Sequence, residues 1–157
     1  MGKYPVVSIS LKGVEGRDFQ TAYGMLGITI SAEARRFRFL LDSDKLTTFD
    51  KEELICLMRG DFEKNINLHD GLKFLMELLF LHYEIPVIVL IDEYDVPLDK
   101  AYQNGYYLEM VDLIRSLFGQ VLKTNENLYF AVITGCLRIA RESIFTGLNN
   151  FKVRTIS

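Results

Sequence analysis

The chain is 157 residues long and 49% hydrophobic, with a formal net charge of −3 and a pI near 5.4. That length suits one domain with a real core, and the mild acidity argues against a bulk nucleic-acid binder, which shows as a basic domain or stripe. Cys56 and Cys136 lie far apart in sequence, and neither His69 nor His82 groups with them. The clustered ligands of a structural zinc site are therefore missing from the pattern, and buried thiols in a reducing cytoplasm are expected instead.

In chain order, the β-branched run YPVVSISL at residues 4–11 reads as a strand closed by Gly13 and Gly16. From Asp18 to about Leu41, apolar residues recur every three or four positions, which predicts a helix with one buried face, weakened near Gly24 and Gly27. Within it, Arg35-Arg36-Phe37-Arg38 reads as the solvated edge of the helix rather than a nucleic-acid contact. Asp50 with Glu53 announces a short helix that Gly60 stops. Another helix starts near Asn67, buries Leu68, Leu72, Leu75, Met76 and Leu79, and ends before Pro86. The greasiest stretch, Leu72 to Leu81, carries Lys73 and Glu77 and reaches about half of the ~20 residues that span a bilayer. A soluble, cytoplasmic protein without a membrane partner is expected.

Val87 to Ile91 is apolar without alternation, which predicts a strand buried on both faces. Asp92-Glu93-Tyr94-Asp95 follows it, and Lys100 is expected on a loop after Pro97. Tyr107 to Val121 carries a helical apolar stripe, with the pair Tyr106-Tyr107 packing at its start. Leu128 to Ile133 is a further apolar strand ending in Thr134-Gly135, and Arg138 to Asn150 reads as a short helix and turn. Strands separated by helices imply crossover connections, a parallel sheet with helices outside, and the α/β class. In such sheets ligands sit at the carboxyl ends of the strands.

At those ends the acids carry the chemistry. In a phosphoryl-transfer site Asp92 holds hydrated Mg²⁺ and Glu93 orients the attacking water. The other reading is a strand that simply ends in solvated acids. Thr134 lies at the neighbouring strand end and can offer a hydroxyl to the same water or to a γ-phosphate. Arg138 and Arg141 either pair with phosphate oxygens or neutralise Asp92, Glu93 and Asp95.

The strings VIVLIDEYDVPLDKAYQNGYY, LFGQVLK and LYFAVITGCLRIARESIFTGLNNFKV resemble the bacterial AAA-ATPase-like family, and the opening KYPVVSISLKG is similar to its strand after the phosphate loop. The resemblance implies a P-loop fold of the additional-strand type, strand order 5-1-4-3-2, with this chain supplying strands 2, 3 and 4. It makes Asp92 the Walker B aspartate, Glu93 the water-activating glutamate and Thr134 the sensor, and it places Arg138 and Arg141 in an Arg-rich stretch after that sensor. ATP and magnesium are the implied substrate and metal. Nucleic acid would be met only through a separate PD-(D/E)XK nuclease-like domain, to which members are commonly fused. No GxxxxGK[ST] occurs in these residues. Residues 1–157 are therefore expected to form a single partial domain, with Met1 an internal methionine or a truncated gene start. The expected function is a fragment of an ATPase; the alternative is a non-catalytic remnant or protein-interaction module on the same fold. With strand 1 of that order absent, Leu128 to Ile133 is expected to be an exposed edge through which the isolated chain self-associates.

Overall fold

A computed structural model describes residues 3–62, 67–123 and 126–136. Strands β1 (Val6–Ser10), β2 (Val87–Asp92) and β3 (Leu128–Ile133) form one parallel sheet in the order β1-β2-β3. The chain passes from β1 to β2 through α1 (Phe19–Arg35), α2 (Thr48–Arg59) and α3 (Gly71–Tyr83), and from β2 to β3 through α4 (Asp95–Asn104) and α5 (Tyr107–Lys123). This is the α/β class, with each expected strand in place. Among the described residues, no helix is long and apolar enough to cross a membrane.

Parallel neighbours need crossovers, and right-handed crossovers taken in one direction across a sheet put their helices on one face. That face consists of Val7, Ile9, Val89 and Ile91, all buried, with Ala131 and Ile133 packed against the same core. Helices α1, α3 and α5 pack on one another and on the strands. The other face carries Val6, Ile88, Leu90, Phe130 and Val132. There Ile88 and Leu90 are half-buried, while Phe130 and Val132 are 45% and 43% exposed. The expectation of strands covered on both faces is thus corrected: the second face stays partly open among the described residues.

Local chemistry sets the helix ends. Asp18 starts α1 by accepting the Thr21 N–H at 2.8 Å, and that bond holds its carboxyl below the ordinary range. Helix α1 stops at Arg35, six residues before the expected Leu41, and the chain tightens into a 3₁₀ turn over Arg38–Asp42 that still buries Leu40. The Asp50 start of α2 is also corrected. Thr47 is the N-cap, and Asp50 is the third helical residue of a reciprocal capping box. Gly60, at φ +80°, closes that helix in the left-handed conformation that glycine adopts freely. Lys100 lies on α4 rather than on a loop, because Pro97 falls in that helix's first turn, where no N–H is needed.

A side chain closes the outer edge of β1. The Ser8 N–H donates to Glu33 Oε2 at 3.0 Å, and Glu33, only 4% exposed, also accepts from Arg36 Nη1 at 2.5 Å. A paired carboxylate thus takes the place of a neighbouring strand, which blunts an edge otherwise open to pairing. On β3 the outer edge has no strand partner among the described residues, and Tyr129 beside it is 53% exposed and stacks on Tyr4 with ring centroids 4.3 Å apart. Removing the carboxylate in Glu33→Ala takes the acceptor from the part-buried Ser8 N–H bond and is expected to cost about 1 kcal/mol in a urea titration. Glu33→Gln, which keeps an acceptor, should lose less. An unchanged midpoint for Glu33→Ala would show that the edge does not depend on this contact.

Candidate functional site

The parallel register aligns the three carboxyl ends. Ser10 is opposite Asp92, and Ile91 is opposite Ile133, the residue before Thr134. Backbone bonds continue past the strands: Leu11 N–H donates to the Asp92 carbonyl at 2.9 Å, Thr134 N–H to Ile91 at 2.9 Å, and Tyr94 N–H to Thr134 at 3.1 Å. Asp92 and Thr134 are thereby held in fixed positions, and the Thr134 hydroxyl donates to Asp92 Oδ1. Both side chains are exposed at the sheet's end.

Glu93, between them, has φ +55°. That region is uncommon for residues other than glycine, and such conformations persist where the surroundings impose them. Here the constraint is the sharp exit from β2: Tyr94 already has helical angles, and α4 begins at Asp95. The turn separates the two acids in role. Asp92 ends the strand, whereas Glu93 stands half-buried on the bend above it.

A strand that simply ends in solvated acids would leave Asp95 at the surface, but the structure buries it. Asp95 is 2% exposed, and its Oδ2 accepts the Cys136 N–H at 2.9 Å. Tyr94 is also buried, its ring 6.1 Å from that of Phe118. A Cβ on Gly135 would clash with the Tyr94 ring, lying 2.7 Å from Cδ1, and would sit 2.9 Å from Asp95 Oδ1. Tyr94 and Asp95 therefore clamp the loop that carries Thr134. Partners 41 residues apart leave no local signal for this beyond an acid and a glycine following two strands. Cys136 is exposed and Cys56 half-buried, which corrects the expectation of two buried thiols. Arg138 and Arg141 lie outside the described residues. The loop after β1 is pinned separately, by Tyr106 OH donating to the Gly16 carbonyl at 2.8 Å, and burial pushes that phenol's pKa up.

Asp92 and Thr134 present hard oxygen donors to solvent, the chemistry that magnesium takes when one or two carboxylates share it with waters and phosphate oxygens. Among the described residues no group of three or more His, Cys, Asp and Glu gathers as a metal cage. The fit rests on Asp92 with Thr134 beside it.

Strands wound sequentially into a parallel sheet, with helices in the connections and an acid–hydroxyl pair at the carboxyl ends, define a protein of the α/β class. The sequence model of a family described as Predicted AAA-ATPase matches residues 1–145, and the chain belongs to that AAA-ATPase-like family. A protein of Azotobacter chroococcum mcd 1, described as "Uncharacterized protein in vnfD 5'region", is 35% identical over 65 residues. The match covers 41% of this chain and 13% of that relative's length. No solved structure matches the chain.

The Gly135 contact can be tested without any ligand. Gly135→Ala forces the Tyr94 ring or the Thr134 loop to move, and overpacking of this kind costs about 1–3 kcal/mol. A urea titration should show that loss, and amide shifts at Thr134 and Cys136 should show the displaced loop. Full stability with unmoved amides would mean the clamp is not tight.

Proposed function

We propose that the chain forms the metal- and water-positioning half of an ATP-hydrolysing site. The observation that carries this reading is the Thr134–Asp92 hydrogen bond at the shared carboxyl end of β2 and β3, with Glu93 on the bend beside it. In this reading Asp92 would hold Mg²⁺ through its carboxylate, and Glu93 would orient the attacking water and accept its proton. Thr134 couples the metal-binding acid to the γ-phosphate, and Arg138 and Arg141 pair with phosphate oxygens. Bound magnesium would supply charge neutralisation at the phosphates. The exposed Cys136 thiol suits a reducing cytoplasm.

The backbone amides and lysine of a GxxxxGK[ST] loop supply much of the grip on a triphosphate, and the 157 residues contain no such motif. Calorimetric titration of this chain with Mg-ATP is therefore expected to show affinity weaker than micromolar. Micromolar binding or tighter would mean that another segment cradles the phosphates. When a phosphate loop is supplied in frame before residue 1, Glu93→Gln should keep ATP binding and lose turnover. Unchanged hydrolysis would remove Glu93 from the catalytic role.

A second reading, a protein-interaction module on the same fold, is favoured by the exposure of Tyr129, Phe130 and Val132 on β3. The segment Leu128–Ile133 holds no proline, lysine or charge to discourage pairing. The isolated chain should self-associate through it, giving a mass above monomer by size-exclusion chromatography with light scattering and slow amide exchange along residues 128–133. A stable monomer with fast-exchanging amides there would refute the association.

A further inference from the structure

A second concave site lies away from the strand ends, between α1 and the end of α2. A cavity of about 540 Å³ runs along one stripe of α1 (Tyr23, Gly24, Gly27, Ser31) and is closed by Arg59 and Phe62. A second cavity of about 400 Å³ shares Arg35 and Arg59 as walls and adds Arg38, Leu41, Ile55 and Met58. Volumes of this size suit a small organic ligand.

The charges around it are one-sided. Arg35 Nη1 donates to the Met58 carbonyl at 2.9 Å, which fixes its guanidinium at the end of α2. Glu33, the nearest acid in sequence, is taken up by Arg36 and the Ser8 N–H. Among the described residues, Arg35, Arg38 and Arg59 form no ion pair. Against those three, Asp61 is the single acid among the described lining residues.

The cavity wall also holds a polar group left over by the fold. Ser31 is 4% exposed, and its hydroxyl has no hydrogen-bond partner among the described residues. Its oxygen is sealed from solvent, so it belongs to the wall behind the groove and is not itself a contact for a ligand. Tyr23, Ile28 and Phe62 supply apolar wall, and a Cβ added at Gly24 would meet nothing within 4 Å.

We infer that this groove binds a small organic anion, its carboxylate, sulfonate or phosphate head held by Arg35 and Arg59 and its apolar body lying along Tyr23, Gly24, Gly27 and Phe62. Planar guanidiniums match such heads in bidentate fashion. The site shares no residue with the Asp92–Thr134 pair and does not depend on nucleotide hydrolysis.

The test is a ¹⁵N–¹H NMR titration of the whole chain with 8-anilinonaphthalene-1-sulfonate, an aromatic sulfonate, with inorganic phosphate in a parallel arm. Saturable shifts at the Gly24, Gly27 and Gly60 amides are expected. Arg59→Gln should weaken binding by about tenfold or more, as loss of a charge-assisted pair does. Gly24→Leu fills the open space while favouring the helix, so it should abolish binding and raise the melting temperature. Shifts confined to Tyr129, Phe130 and Val132, affinity unchanged in both variants, or inorganic phosphate binding as tightly as the sulfonate would each overturn the inference.

Discussion

The order β1-β2-β3 in a parallel sheet is the constraint from which the other features follow. Parallel strands point their carboxyl ends the same way, so Ser10, Asp92 and Thr134 meet at one end without any special device. Successive right-handed crossovers in one direction also gather the helices on one face. The same topology therefore assembles the candidate site and leaves one sheet face and the β3 edge partly exposed. A parallel sheet is ordinarily covered on both faces. The apolar residues on the open face, Ile88, Leu90, Phe130 and Val132, are those of a surface that fits a further covering layer.

The two edges are handled differently, and the contrast is informative. On β1, which has no strand neighbour on its outer side among the described residues, a buried carboxylate from α1 accepts the Ser8 N–H. On β3 aromatic and branched side chains stand beside backbone groups with no strand partner among the described residues. A strand built in this way is suited to pairing, with another segment or with another copy.

Much of the fold was legible because buried strands and amphipathic helices leave periodic marks. Val87 to Ile91 and Tyr107 to Val121 announced β2 and α5 through apolar runs and a helical stripe. Helix α4 is hard to read in the sequence because Pro97 suggests a loop, although proline is tolerated in a helix's first turn. The Thr47 cap was missed because Asp50 fits the same pattern three residues later. At the candidate site, Asp92, Glu93 and Thr134 stand out from the strand ends alone, and the resemblance implies the same roles. The burial of Asp95 and the tight seat of Gly135 could not be read locally, since each depends on a contact between distant segments. The groove between α1 and α2 was likewise hidden. In sequence Gly24 and Gly27 read only as a weakness in a helix, and with Ser31 they become a wall only when α2 and Phe62 are packed beside them.

The paramagnetic effect of Mn²⁺, a stand-in for magnesium, bears most directly on the site at the strand ends. In the presence of ATP, amide signals of Leu11, Lys12, Glu93, Tyr94, Thr134 and Gly135 should broaden first, and Asp92→Asn should remove the effect, because a weakly held ion still relaxes the nuclei near it. Broadening that begins elsewhere, or that persists unchanged in Asp92→Asn, would contradict the assignment of Asp92 and Thr134 to a metal–nucleotide site.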